Sequence, residues 1–181
     1  MGVGGIGMNA VQGARIAGAR AIVALDPVEF KRNRSLEFGA THTAATVDEA
    51  RALVADLTHG RMANFCVVST DSAEGAYVAQ ALSLVGKRGR VVMTAIPNPT
   101  DTCVDMSLFD LTMYEKQVRG SLFGSLNPRH DIPRIPRMLD LYRAGQLKLD
   151  ELITREYTLD DINQGYAEMH ARVNLRGLAR F

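Results

Sequence analysis

Short apolar runs alternate with longer stretches of mixed polarity through the first hundred residues. Strands are predicted where the apolar runs are continuous and bounded by turn residues, at AIVAL (21–25), FCVVST (65–70), GRVVMTAI (89–96) and, more weakly, THTAA (41–45). Helices are predicted between them, at residues 5–18, 26–40, 47–60 and 73–86. This alternation predicts an α/β fold, a parallel sheet covered by helices on both faces.

The rhythm changes after Pro97, where PNPTDTCVDMS (97–107) has the composition of a loop. The pattern beyond it predicts a short helix at 107–116, a strand QVRGSLFG (117–124), a helix starting near Pro133 or Pro136, a helix at 158–173 and a closing strand LRGLARF (175–181). In the first helix, residues Ile6, Ala10, Ala14 and Ala17 share one face of small side chains.

Composition narrows the class of protein. The chain has 181 residues, of which 46% are apolar and 23% charged, with a net charge of +1, so we expect one globular domain with no nucleic-acid or membrane partner. No apolar run is long enough to cross a bilayer, and no signal peptide is apparent. We therefore expect a cytoplasmic protein.

Candidate metal ligands and catalytic groups are sparse. Cys66 and Cys103 are isolated from each other and from any histidine at ligand spacing, which argues against a structural zinc site. The histidines are scattered and are interpreted as surface or core residues; they are His42, His59, His130 and His170. We assign neither a catalytic residue nor a metal ligand.

The clearest chemical signal is the glycine turn at the start of the chain. Gly2, Gly4 and Gly7 match the spacing G-x-G-x-x-G, in which glycines allow a tight turn, a close approach of a pyrophosphate, and close packing of a helix on the sheet. The backbone N–H groups of Gly5 and Ile6 would point at the phosphates from a helix N-terminus. Alone, this motif is weak evidence.

An acidic residue at the expected distance strengthens it. Asp26 follows the strand AIVAL and is predicted to bind the hydroxyls of a ribose, although a helix cap before Pro27 is the alternative. An acid here repels a 2′-phosphate, which favours NAD over NADP. Arg32 and Arg34 are cations nearby, and we interpret them as a solvated helix face.

With these residues in view, the chain resembles the cofactor-binding half of the zinc-type, medium-chain alcohol dehydrogenases. The resemblance runs from end to end and is carried by the glycine turn with Asp26, by FGATH (38–42), GRVVMTAIP (89–97), VRGSLFGS (118–125) and NLRGLARF (174–181). Within that superfamily it is most similar to the actinobacterial nicotinoprotein group, which holds NAD tightly. The fold implied is a Rossmann-like, doubly wound parallel sheet over residues 1–181 with a C-terminal extension.

The resemblance also implies roles for individual residues. Lys31 would add a second contact to the ribose, Ser69 and Thr70 would lie along the adenosine half, and Arg176 would pair with the pyrophosphate. Thr94 and Ile96 would border the nicotinamide, with Phe123 nearby. The zinc ligands and proton relay of the family belong to an N-terminal half that has no counterpart in this sequence, so zinc is expected only in a full-length enzyme.

The fold implied has a consequence for the start of the chain. A doubly wound sheet places its first strand centrally, in the order 3-2-1-4-5-6, and that strand normally feeds the glycine turn. Here the turn begins at Gly2. We therefore expect a sheet that lacks its first strand, a truncated gene product or a misassigned start codon, and a chain that folds poorly and binds NAD weakly on its own.

Three functions remain open on the sequence. The first is the NAD-binding portion of an alcohol dehydrogenase, inactive alone, which in the whole enzyme passes hydride between an alcohol or aldehyde and nicotinamide. The second is a non-catalytic dinucleotide-binding or dimerisation fragment, with the strand at 117–124 as the contact of a homodimer. The third, a methyltransferase, fits the glycine spacing and the dehydrogenase-like C-terminus less well.

Overall fold

A computed structural model of the chain describes residues 1–100, 102–126 and 135–181. The expectations for His130 and for a helix start near Pro133 fall outside these residues. The described helices are α1 (Gly7–Ile16), α2 (Glu29–Glu37), α3 (Val47–Leu57), α4 (Gly75–Leu84), α5 (Leu108–Met113), α6 (Ile135–Arg143) and α7 (Ile162–His170). The strands are β1 (Val23–Leu25), β2 (His42–Ala44), β3 (Ala63–Val68), β4 (Val85–Met93), β5 (Gln117–Gly120), β6 (Ile153–Tyr157) and β7 (Arg176–Ala179).

Every described strand pair is parallel, which confirms the predicted α/β architecture. Strand β1 pairs with β2, and β3, β4 and β5 form a second sheet in that order. Among the described residues no strand lies between β1 and β3. Residues 1–2 bridge them at their carboxyl ends, since Gly2 donates to the Leu25 carbonyl and Ser69 donates to the Met1 carbonyl, both at 2.8 Å.

The C-terminal part adds a two-stranded sheet, of which the sequence pattern predicted one strand. The strand at β7 was expected, whereas its partner β6 was not, because ITREY (153–157) carries three polar residues and is largely exposed. Helix α7 also begins later than predicted. Thr158 does not cap it, because the Thr158 hydroxyl donates to Asp161 Oδ2 at 2.6 Å in the turn before the helix.

Two hydrophobic clusters hold the layers together. One packs α3 and α4 on one side of the sheets, around Leu25, Val68 and Val91. The other lies beneath α1 and includes Met8 and Phe38, both fully buried, together with Leu152 and Leu175 from the C-terminal part. The C-terminal strands are therefore fixed to the same core as the glycine turn.

The face of small side chains on α1 is not its buried face. The residues that α1 buries are Gly7, Met8, Val11 and Gln12, whereas Ile6 is 59% exposed. Gln12 is buried because its side chain exchanges two hydrogen bonds with the backbone of Lys148, at 2.9 Å and 2.7 Å. The buried face of α1 therefore includes a polar residue.

The sheet edge at β5 is exposed, and a homodimer contact was predicted there. Strand β5 pairs with β4 and all four of its residues are exposed. The homodimer contact expected at residues 117–124 stays a prediction. None of the helices in the described ranges combines the length and hydrophobicity needed to cross a membrane.

Candidate functional site

The glycine turn lies at the carboxyl ends of β1 and β3, where parallel sheets place their sites. Gly2 has φ of +78°, a conformation that side chains disfavour, and its carbonyl accepts from the Ser69 hydroxyl at 2.7 Å. At Gly7 a Cβ would come within 1.9 Å of the Gly2 carbonyl oxygen. The first and third glycines of the motif are therefore required by the turn itself.

The N-terminus of α1, which begins at this turn, carries unpaired hydrogen-bond donors. Within the described ranges, the backbone N–H groups of Gly5, Ile6 and Gly7 donate to no acceptor. No side chain caps the helix, and its first turn contains no acidic residue. Unpaired N–H groups and the positive end of the helix dipole together favour an anion such as a phosphate.

Asp26 joins the glycine turn to the end of β1. Its side chain is buried, and its two oxygens accept from the backbone N–H groups of Val3 and Val28, each at 2.9 Å. The carboxylate thus caps the turn into α2 and braces the glycine turn at the same time. Each oxygen keeps a second lone pair, with which it could accept from a ribose hydroxyl.

The cations around Asp26 are not a simple solvated face. Arg32 Nη1 donates to the carbonyls of Asp26 and Pro27, both at 2.8 Å, and Arg34 pairs with Glu37 and reaches the Glu151 carbonyl at 2.9 Å. Both guanidinium groups are thus used within the protein, which corrects the expectation of solvated arginines.

Lys31 has no counter-ion in the part of the chain that the structure describes. It is only 8% exposed, and its Nζ lies 3.9 Å from the position that a Cβ at Gly4 would take. Its Nζ is not among the fully buried polar atoms that lack a hydrogen bond, so the ammonium group stays accessible while the stem of the side chain is buried.

Arg176 approaches the turn from the opposite side. Its Nη2 donates to the Gly5 carbonyl at 3.3 Å, and a Cβ at Gly5 would lie 3.1 Å from its Nε. A cavity of about 470 Å³ opens here, lined by Gly5, Ile6, Asn174, Arg176 and residues of α7. Among the residues predicted to bind the cofactor, this cavity is lined by Gly5, Ile6 and Arg176 only; the others lie outside its lining.

The other residues predicted to contact the cofactor differ in their surroundings. The Ser69 carbonyl oxygen and the Thr70 backbone nitrogen lie 2.8 Å and 2.9 Å from the position that a Cβ at Gly2 would take. The Thr94 hydroxyl and N–H both donate to the Val68 carbonyl, so this hydroxyl is used internally. Ile96 and Phe123 are 72% and 82% exposed and belong to neither hydrophobic cluster.

Sequence reasoning missed two polar residues beside the cavity. Asn174 and Tyr157 are both more than nine-tenths buried, and Asn174 Nδ2 donates to the Tyr157 hydroxyl at 3.1 Å. The position of Asn174 directly before LRG was a usable signal, whereas Tyr157 belongs to the strand that the pattern did not predict. Burial and the hydrogen bond to Glu168 raise the pKa of the Tyr157 hydroxyl, so it remains protonated at neutral pH.

The described residues do not form a metal site. Within residues 1–100, 102–126 and 135–181, no group of three or more His, Cys, Asp or Glu side chains is arranged to hold a metal ion. Burial raises the pKa of the Cys66 thiol, which keeps it protonated among apolar neighbours of the sheet. A zinc ion therefore does not fit the described part of this chain.

Comparisons with known proteins agree with this geometry. A family model described as zinc-binding dehydrogenase matches residues 5–142. The NDMA-dependent alcohol dehydrogenase of Amycolatopsis methanolica is 48% identical over 177 residues, covering 98% of this chain and 47% of the relative. The chain thus spans about half the length of the curated relatives it matches.

Solved structures match over the same extent. Benzyl alcohol dehydrogenase from Acinetobacter calcoaceticus superposes with a TM-score of 0.88 at 26% identity, covering 99% of this chain and 48% of the other. A zinc-binding dehydrogenase from Sinorhizobium meliloti, solved with NADP bound, gives a TM-score of 0.80 at 26% identity, covering 98% and 50%. The crevice described above therefore occurs in a fold shared with these proteins.

Proposed function

Because the chain belongs to the zinc-binding dehydrogenase family, we propose that it is the NAD-binding portion of an alcohol dehydrogenase-type oxidoreductase. The observation that carries this proposal is the brace between Asp26 and the glycine turn, through the 2.9 Å bond from Val3 N–H. It sets a carboxylate suited to a ribose beside a helix N-terminus suited to a pyrophosphate. A methyltransferase is not supported, because the relatives found are alcohol dehydrogenases.

Each end of the dinucleotide has candidate contacts in this chain. The N–H groups of Gly5 and Ile6 would donate to the pyrophosphate, and Arg176 would supply a planar cation to the same group. Asp26 and Lys31 would hold the adenosine ribose, and Ser69 and Thr70 would border the adenosine. Thr94, Ile96 and Phe123 remain proposals for the nicotinamide end.

When bound, nicotinamide supplies the hydride acceptor or donor for an alcohol–aldehyde pair. The residues described here bind and orient the cofactor, and none of them is assigned a role in moving a proton. We assign no zinc-dependent step to this chain, because its described residues offer no ligand set.

The charge at Asp26 supports NAD rather than NADP as the cofactor. A 2′-phosphate would lie against a carboxylate that two backbone N–H groups prevent from turning away. Arg32 and Arg34, the cations that could have compensated, are already bound to protein acceptors.

Titration calorimetry of the 181-residue chain tests this function. We expect NAD to bind at least about tenfold more tightly than NADP, because like charges placed side by side cost several kcal/mol. Asp26→Asn should reduce that preference, whereas Glu29→Gln, an exposed carboxylate in the next turn, should leave it unchanged. Binding of neither dinucleotide by a chain that melts cooperatively, or a preference for NADP, would contradict the proposal.

A further inference from the structure

Arg176 reaches the glycine turn through a side chain that makes few contacts there. Its one bond to the turn, to the Gly5 carbonyl, is 3.3 Å long and exposed. Such a bond is too weak to fix a long side chain whose rotamer freedom is large. The backbone that carries Arg176 then decides whether its side chain can reach the turn.

The two residues before Arg176 are held by side chains of β6. Leu175 N–H donates to the Thr154 hydroxyl at 2.9 Å, and the Leu175 side chain is buried in the cluster beneath α1. Asn174 is 7% exposed, and its Nδ2 donates to the Tyr157 hydroxyl. The start of β7 is thus anchored laterally, at a place where the register between β6 and β7 shifts.

Tyr157 is itself immobilised on three sides. Its ring lies against two glycines, since a Cβ at Gly177 would be 2.6 Å from the ring and a Cβ at Gly165 would be 3.3 Å from it. Its hydroxyl donates to Glu168 Oε2 at 2.7 Å while accepting from Asn174. Both functions of the hydroxyl are used, so it links α7 to the strand that carries Arg176.

Glu168 completes the network from α7. Its Oε1 accepts from Gln164 at 2.9 Å, and its Oε2 lies 3.6 Å from Arg155 Nε. These contacts hold the pKa of the Glu168 carboxyl below its ordinary value, the bond from Gln164 acting first and that from Tyr157 next. Glu168 is therefore ionised at neutral pH and a strong acceptor for the Tyr157 hydroxyl.

We propose that Tyr157 is a positioning residue for cofactor binding: through Asn174 it holds the Arg176 guanidinium where the diphosphate of the dinucleotide binds. This inference rests on the proposed function, because it requires a diphosphate at the glycine turn. It predicts that the Tyr157 hydroxyl affects ligands that carry a diphosphate and leaves other ligands unaffected.

The test compares Tyr157→Phe with Tyr114→Phe, using the full chain and two ligands, ADP-ribose and adenosine. Tyr114 directly follows α5 and does not line the cavity, and its hydroxyl makes no hydrogen bond among the described residues. We expect Tyr157→Phe to weaken ADP-ribose binding roughly fivefold, the factor for about one lost hydrogen bond, with adenosine binding unchanged and with no effect of Tyr114→Phe on either ligand. Nuclear magnetic resonance titration measures even weak adenosine binding.

A double-mutant cycle separates positioning from a general effect on folding. In an Arg176→Ala background, Tyr157→Phe should no longer change the affinity for ADP-ribose, because the group that it positions is gone. A loss that persists in this background, or one that affects adenosine equally, overturns the inference. Should Tyr157→Phe fail to melt cooperatively, Asn174→Ala leaves the ring in place and carries the same expectation.

The outcomes also separate this inference from the function beneath it. If the unsubstituted chain binds no ADP-ribose, the proposed function fails and the inference fails with it. If the chain binds ADP-ribose and Tyr157→Phe binds it equally well, the function stands and Tyr157 has no positioning role.

Discussion

At the scale of single residues, the glycine turn illustrates how one motif combines different physical requirements. Gly2 is required for its positive φ, and Gly7 for the space that the Gly2 carbonyl occupies. Gly4 is different, because the nearest atom to a Cβ there is the Lys31 Nζ at 3.9 Å. Its missing side chain leaves room for a ligand, which is the role expected for the second glycine.

Helix α1 contains two glycines whose replacement should have opposite effects. Gly7→Ala places a Cβ 1.9 Å from a backbone oxygen, so the turn must move, and we expect a loss of about 3 kcal/mol in the free energy of unfolding. Gly13→Ala meets no atom within 4 Å and should stabilise the helix by about 0.5–1 kcal/mol. Urea denaturation of both variants measures the two changes.

The two variants act as controls for each other because the substitution is the same. If both changed the stability by similar amounts and with the same sign, close packing of the turn on α1 would not be what requires Gly7. Dinucleotide binding should be retained by Gly13→Ala and lost by Gly7→Ala.

At the scale of secondary-structure elements, prediction from sequence succeeded where one pattern dominates. The apolar runs at β1, β3 and β4 were readable directly. Strand β6 was not, because its residues are polar and its stability comes from pairing with β7, about twenty residues further along the chain. The burial of Gln12 in α1 was not predicted either, because it depends on hydrogen bonds to the distant Lys148 backbone.

The strands β6 and β7 are tied at one end by an exposed ion pair with pH-dependent strength. Arg180 Nε and Nη2 each donate to a Glu156 oxygen at 2.7 Å, and these bonds lower the pKa of the Glu156 carboxyl. A lowered folded-state pKa stabilises the protein above the unfolded pKa, and the stabilisation disappears as the pH falls through the folded value.

We therefore expect Glu156→Gln to lower the melting temperature at pH 7, with a difference from the unsubstituted chain that closes below about pH 4. Thermal melts by circular dichroism at intervals between about pH 3 and pH 8 measure this. Glu29→Gln, which removes an exposed carboxylate without a partner in the described residues, should give a difference that does not follow this pH course. A Glu156 difference that grows on acidification would have the wrong sign for this ion pair.

At the scale of the whole molecule, the site is assembled from parts that are distant in sequence. The glycine turn bonds to Asp26 at the end of β1 and to Ser69 at the end of β3, and Arg176 at the start of β7 contacts it at Gly5. The first three follow from the rule that parallel strands place their sites at carboxyl ends. The approach of Arg176 was predicted only through the family resemblance. The network of Tyr157 behind it could not be predicted, because no local sequence pattern marks a contact between separate sheets.

The separation of the two main sheets has a consequence for hydrogen exchange. Hydrogen-bond partners show which way each residue points: the Val68 carbonyl accepts from Thr94 N–H on the β4 side, whereas the Val67 carbonyl accepts from the Met1 nitrogen on the other side. Because N–H and C=O of one strand residue point the same way, Cys66 N–H faces β4 and Val67 N–H faces β1.

We expect Val67 N–H, which has no partner in the described residues, to exchange with solvent about 100-fold faster or more than Cys66 N–H, its neighbour on the same strand. Leu25 N–H, which faces the same gap from β1, should likewise exchange faster than Ala24 N–H, which faces β2. Residue-resolved exchange by nuclear magnetic resonance makes this comparison within one sample, so differences in overall stability cancel. Equal protection of neighbouring amides along β3 would show that its edge toward β1 is paired in solution, for example by another chain, since an unpaired strand edge is a template for pairing.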